Sequence, residues 1–280
     1  MYIEKIKQFL SAHKTTVALI GIILFLILAG VAIFNRFNDS KQAGSIEEVD
    51  LTFDPQGPYA LIYPRRDGNA VILNLKRTAS YDSISYELAY NSEGIDRGVV
   101  GTIDTKDHKG EYEQEILFGT CSKNVCKYDK DVENGTLTLH IRKGQSAFRM
   151  ITQWHFQKPD IALGLLNSGD GHFNYKLDLK REELAIIGYS VINDLTGVPK
   201  LPDKKEVLGK VYSLTALIAK TLPAGDVTFE VANDLPQGAG FYRYDTSQNQ
   251  WVNLNAQISG SKLSAQSETG GIFAVLIPTE

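Results

Sequence analysis

At 280 residues, with 43% hydrophobic and 22% charged side chains and only nine prolines, the chain is long enough to bury its own core and too apolar to be disordered throughout. Its formal net charge of −4 is uneven: residues 1–36 carry Lys5, Lys7, Lys14 and Arg36 against Glu4 alone, so +3 there leaves −7 for residues 37–280. An acidic bulk argues against nucleic acid as a partner, because neutralising phosphates needs a basic surface.

Residues 17–34 carry no charge and no strongly polar side chain. With Thr15, Thr16 and Asn35 the uncharged run reaches about 21 residues, and at ~1.5 Å per residue such a helix spans a ~30 Å hydrocarbon core. The sequence therefore predicts a short cytoplasmic tail at 1–14, a single N-terminal transmembrane α-helix at 15–36 and a polar linker at 37–49. Three lysines before the run, against Arg36 and Lys41 after it, place the N-terminus inside and the remainder outside the membrane. The competing reading is a cleaved signal peptide with a small-x-small site at Gly30-Val31-Ala32, but the apolar run exceeds the usual ~7 to 15 residues. A lipoprotein signal at Leu28-Ala29-Gly30 needs a following cysteine, and Val31 stands there. A type IV pilin would need an acidic residue early in the helix, and none is present.

From Leu51 the pattern has period two. Leu51 and Phe53, then Val71, Leu73 and Leu75, then Ile84, Tyr86, Leu88 and Tyr90 alternate with polar residues, as half-buried strands require. Further strands are predicted over 99–103, 112–118, 137–141 and 148–156. Arg66-Asp67-Gly68-Asn69, Asn91-Ser92-Glu93-Gly94, Lys109-Gly110 and Asn134-Gly135 supply turns between them. Seven or eight strands in about 105 residues predict an antiparallel β-sandwich domain over 50–157. Residues 158–170, with Pro159, break the pattern and read as a linker. A second β-sandwich domain is expected over 171–280, with strands at 173–179, 184–192, 207–214, 216–220, 227–231, 241–244, 251–254, 262–265 and 272–277. Only residues 182–187 are helix-compatible. The expected fold class is all-β.

Two stretches carry a family resemblance. Phe241-Tyr-Arg-Tyr-Asp245, Trp251-Val-Asn-Leu254 and Gly271-Ile-Phe-Ala-Val275 resemble the terminal hairpins of bacterial surface and secreted proteins that close an immunoglobulin-like or related sandwich. Tyr86-Glu-Leu-Ala-Tyr90, Gly98-Val-Val-Gly101 and Gly119-Thr-Cys-Ser122 are similar to immunoglobulin- or fibronectin-like modules of membrane-anchored bacterial proteins of unknown function. The resemblance implies an envelope location and Ig-like sandwiches, and it implies no activity.

Cys121 and Cys126 are the only cysteines. A C-x4-C pair in an oxidising exterior suits a disulfide across a tight turn, with free thiols, a metal site or redox chemistry as the alternatives. A zinc site would need two further ligands, and a dithiol site C-x-x-C. The acidic run Asp129, Asp131 and Glu133 superficially matches the start of a calcium loop. However, Asn134 stands where glycine belongs and His140 where a carboxylate belongs, so a solvated turn is expected. Asp104, Asp107 and His108 read as another solvated loop. His13, His108, His140, His155 and His172 show no metal spacing, and His140 and His155 fall on the polar phase of their strands. Trp154 falls in phase with Phe148, Met150 and Phe156 and is expected in the core, whereas Trp251 opens a strand after a polar turn.

No nucleophile elbow, phosphate loop or dinucleotide fingerprint occurs. The expectation is a non-enzymatic, membrane-anchored surface or envelope protein that uses β-sandwich loops or edges for adhesion, assembly or ligand binding, with no catalytic residue, cofactor or metal. Its expected partners are the membrane and an envelope protein or glycan. The rival readings are an envelope hydrolase acting on glycan or peptide, and a subunit of a secretion or filament machine.

Overall fold

The computed structural model describes residues 47–107, 109–123, 125–218 and 220–279. The expected tail, the expected transmembrane helix and residues 37–46 lie outside them, as do His13 and His108. Among the described residues no helix is long and apolar enough to cross a membrane. Glu48–Glu280 form one compact unit.

The unit is mostly β. Its first half holds β1 (Glu48–Asp50), β2 (Tyr59–Pro64), β3 (Ala70–Lys76), β4 (Ser83–Ser92), β5 (Ile95–Ile103), β6 (Glu111–Leu117), β7 (Gly119–Ser122), β8 (Val125–Tyr128), β9 (Asn134–Lys143) and β10 (Ser146–Gln157). Its second half holds β11 (Leu165–Asn167), β12 (Phe173–Lys176), the helix α1 (Arg181–Ile187), β13 (Ser190–Asp194), β14 (Lys205–Ala216), β15 (Gly225–Glu230), β16 (Gly240–Asp245), β17 (Gln250–Asn253), β18 (Gln257–Ser259), β19 (Lys262–Ser267) and β20 (Gly271–Pro278).

One long antiparallel sheet runs through both halves in the order β17-β16-β20-β14-β13-β10-β9-β4-β5, with β1 laid parallel against the start of β10. Alternation places Ile84, Tyr86 and Leu88 of β4, Leu137, Leu139 and Ile141 of β9 and Met150, Trp154 and Phe156 of β10 on one face. There they meet Ile62, Val71, Leu73, Leu75 and Ile116 of the three-stranded sheet β2-β3-β6. Phe118, fully buried, lies between Tyr90 edge-on at 4.9 Å and Trp154 stacked at 5.8 Å. The second core lies on the opposite face. Ile192, Tyr212, Leu214, Phe273 and Val275 of the long sheet pack on Tyr175, Val227, Phe229 and Leu263 of the sheet β11-β12-β15-β19-β18.

The register shows how the two halves join. Trp154 is paired with Asn193 and Phe156 with Val191, and these in turn with Ser213 and Thr215. The face that holds the first core therefore continues into the second half, where β2 covers it. Ala60 and Ile62 of β2 point into the first core, while Tyr59 and Leu61 pack on Val211, Ile272, Ala274 and Leu276. The free edge of β2 is closed by side chains. Thr196 Oγ1 donates to Pro58 O (2.8 Å), Asn193 Nδ2 to Ala60 O (3.0 Å) and Thr215 Oγ1 to Ile62 O. Asn193 is 1% exposed and also accepts the Ser213 hydroxyl at 2.7 Å.

The expected division into 50–157 and 171–280 thus gives way to two cores strung on one sheet, because β10 pairs with β13 and β2 is sewn to strands of the other half. Other expectations shift locally. The strand predicted over 184–192 is α1 followed by β13: Leu184 and Ile187 share a buried face at helical spacing, and Glu183 accepts the Lys180 N–H at 3.0 Å. The strand predicted over 216–220 is absent, since β14 runs on to Ala216 and the chain then turns, with Lys220 N–H donating to Leu217 O. Asn134-Gly135 opens β9 instead of forming a turn. A Cβ on Gly135 would sit 2.3 Å from Trp154 Cζ2, so the glycine makes room for the indole.

Replacing Asn193 by alanine leaves the Ala60 carbonyl and the Ser213 hydroxyl buried without partners, which should cost about 2–4 kcal/mol. Urea unfolding of the purified chain measures this. A loss below about 0.5 kcal/mol would show that the junction does not depend on the amide.

Candidate functional site

The stretch expected to be a linker instead builds one side of a concave surface. After β10 the chain makes a compact turn, with Ala162 N–H donating to Lys158 O and Gly164 N–H to Pro159 O, and then returns as β11 beside the end of β10. The Gln157 amide acts as a surrogate strand toward β11: its Nε2 donates to Asn167 O (2.9 Å) and its Oε1 accepts the Asn167 N–H (3.0 Å). His155 Nδ1 lies 2.8 Å from the same carbonyl. A short, polar edge that would otherwise face solvent is fixed by two side chains of β10.

Between this turn and the loop after β8 lies a cleft of about 700 Å³. Its floor is aromatic, with Phe156 and Tyr189 stacked at 4.7 Å and the Lys158 ammonium 4.8 Å from the Tyr189 ring centre. One wall is the acidic run. Asp129 accepts the Tyr90 hydroxyl at 2.9 Å and lies 3.8 Å from Arg97, and Lys130 is tied to Ser92 Oγ through both its N–H and its carbonyl. Burial, reinforced by Asp129, pushes the Tyr90 phenol up to about 12, so it stays a donor. The opposite rim is apolar. Ile161 is 68% exposed, and Leu165 is half exposed beside it. The cleft thus sets an aromatic floor between an acidic and an apolar wall, a surface suited to non-covalent binding.

The next turn, between β11 and β12, carries a charge cluster. Asp170 Oδ2 accepts from Lys210 Nζ and from Tyr212 OH, both at 2.8 Å, while its Oδ1 accepts the Ser168 hydroxyl (2.6 Å) and the His172 N–H (3.2 Å). Lys210 also reaches Asp194 at 3.1 Å, and Asp194 accepts the Gln153 N–H. Burial raises the Asp170 carboxyl, but the four donors outweigh it and hold it well below the usual range. For Asp194 burial dominates over the Gln153 and Lys210 contacts and raises the value. Each carboxylate oxygen of Asp170 has two donors, so the cluster fastens the turn to β14 and leaves no free base.

Cys121 and Cys126 stand opposite each other on β7 and β8 and are joined by a disulfide, with Cα atoms 4.0 Å apart. The bond closes a hairpin whose neighbour Val125 is largely exposed. Asp131 sits at positive φ in the acidic loop. Among the described residues no three His, Cys, Asp or Glu side chains lie close enough together to hold a metal ion. His140 faces Glu48 at 3.0 Å, across the β1 side of the sheet. Trp154 is 1% exposed in the first core, and Trp251 covers Tyr244 edge-on while donating to Lys200 O.

No family model, curated protein or solved structure matches the chain. Sequence reasoning singled out Asp129, Asp131, Glu133 and His155, all of which line the cleft. It missed Gln157, Tyr189 and Asp170: the loss of alternation over 158–170 marks only the neighbourhood of Gln157 and Asp170, and no local signal marks Tyr189.

Because the folded Asp170 value lies below its ordinary 3.8, this group's contribution to stability is present above that pH and is lost as pH falls toward the folded value. Lys210→Met should cost about 1–2 kcal/mol at pH 7, and the difference from the unaltered chain should shrink at pH 3. Urea titrations at the two pH values check this. A penalty that grows on acidification would contradict the assignment.

Proposed function

We propose that this chain is a membrane-anchored, non-enzymatic surface or envelope protein whose β-rich region lies outside the membrane and binds an envelope partner through the cleft beside Gln157. The observation that carries this reading is the cleft itself: an aromatic floor, an acidic wall in which Asp129 is held by Tyr90, and an apolar rim of Ile161 and Leu165 presented to solvent. The uncharged run at 17–34, long enough to span a bilayer, supports the anchor. The bonded Cys121–Cys126 pair supports an oxidising, extracytoplasmic setting. Each half packs two sheets face to face, which fits the sandwich reading; its finer immunoglobulin-like character is part of this proposal and rests on the resemblances at residues 86–122 and 241–275.

In-cell photo-crosslinking tests both parts. A benzophenone side chain at Ile161 of the full chain should give a discrete adduct with one envelope component, and the same probe at Ile258, also exposed but on the far sheet, should not. Protease added outside intact spheroplasts should remove the β-rich region and leave an apolar stub in the membrane. Equal labelling from both positions would sink the cleft as the binding surface, and full protease resistance would sink the orientation.

A further inference from the structure

The long sheet ends at β5, and that edge is open. The two-residue turn Glu93-Gly94, both at positive φ, makes Ser92 and Ile95 the hydrogen-bonded pair that closes the hairpin. Alternation then turns the N–H and C=O groups of Ile95, Arg97, Val99, Gly101 and Ile103 toward β4 and those of Asp96, Gly98, Val100 and Thr102 outward. Among the described residues no backbone or side-chain group bonds to these outward positions.

The other strand edges are guarded in ways that β5 is not. On β2 the outward carbonyls are taken by Thr196, Asn193 and Thr215, and β11 is closed by Gln157. β6 carries Glu111, Glu113 and Glu115, and β1, β7, β8, β17 and β18 are three or four residues long. β5 runs for nine residues, and from Gly98 to Ile103 it has no charge and no proline. Val100 is 76% exposed at its centre, and Ile95 is 55% exposed at its start.

We propose that β5 is a self-association edge, pairing antiparallel with β5 of a second copy about a two-fold axis at Val99. In this register Asp96 faces Thr102 of the second copy and Gly98 faces Val100. All four outward positions are then used on both chains, giving about eight inter-chain hydrogen bonds. Side chains match as well. Each Val100 lies beside a glycine whose Cβ position is open, with nothing nearer than 3.7 Å. Arg97 lies opposite Gly101, exposed Ile95 opposite Ile103, and a carboxylate opposite a hydroxyl. Moving the axis to Val100 would set Asp96 against Asp104 of the second copy, a like-charge pair, and would leave Asp96 without an outward partner on β5. Moving it to Gly98 would set Thr102 against the Gly94 turn. Self-complementarity in one register favours a second copy over an unrelated strand as the occupant. The inference rests on the edge alone and is independent of the cleft.

Cysteine cross-linking of the full chain in its own membrane tests it, since Cys121 and Cys126 are already bonded to each other and the introduced thiol is the only free one. Val99→Cys places two thiols across the two-fold axis in a closely spaced pair, and mild oxidation should convert most of it to a disulfide-linked dimer. Thr102→Cys, separated from its own copy by several residues along the strand, should give at least tenfold less. Adding Val100→Lys to Val99→Cys should cut the cross-link at least tenfold. In sedimentation of the detergent-solubilised chain, Val100→Lys alone should raise the dimer dissociation constant tenfold or more, with an unchanged unfolding midpoint at concentrations where both chains are monomeric, because Val100 is solvent-exposed. No cross-link from Val99→Cys, an equal cross-link from Thr102→Cys, or a self-association constant indifferent to Val100→Lys would each overturn the proposal.

Discussion

The structure depends on three buried carbonyls. Pro58, just before β2, and Ala60 and Ile62 on its free edge present their buried oxygens toward the long sheet, where no strand pairs with them. An acceptor stranded there would cost about 1–3 kcal/mol. Thr196, Asn193 and Thr215, all buried and all in the second half of the chain, supply the three donors. The same arrangement lets β2 bury side chains on both of its faces, Ala60 and Ile62 in one core and Tyr59 and Leu61 against Val211 and Ile272. With this polar seam and the β10–β13 ladder in place, neither half has a complete surface of its own.

The cleft follows from the same junction. β10 must run on to Gln157 to pair with β13, and the chain then has to turn back over the end of the sheet. The segment is fastened at two points: Gln157 and His155 hold Asn167, and Lys210 and Tyr212 hold Asp170. Its apolar residues are left facing outward, since the aromatic pair Phe156 and Tyr189 already fills the space beneath.

Most of the strands were legible from the sequence because alternation is a local signal. Ile84, Tyr86, Leu88 and Tyr90 read as one buried face, and they form one. Residues 184–192 misled because Leu184, Ile186 and Ile187 suit either period over so short a run, and only Glu183 capping Lys180 decides for helix. Asn134-Gly135 carried turn chemistry, yet the glycine is there for the Trp154 ring. The seam was out of reach of a local reading: its bonds join residues 133, 138 and 153 positions apart through side chains with no periodic signature. The site was half visible. The acidic run and His155 stood out as polar residues, but Pro159 and the loss of alternation pointed to a linker where the chain makes its most heavily hydrogen-bonded turn.

The central claim is that residues 48–280 are one cooperative unit joined at this seam. Hydrogen exchange along a urea gradient, read by mass spectrometry on peptides from β9 and β20 of the full chain, addresses it directly, because each strand lies inside a different core. If the seam couples the halves, both peptides lose protection at the same urea concentration. Loss of protection from one strand while the other stays protected across a separate transition would contradict the account.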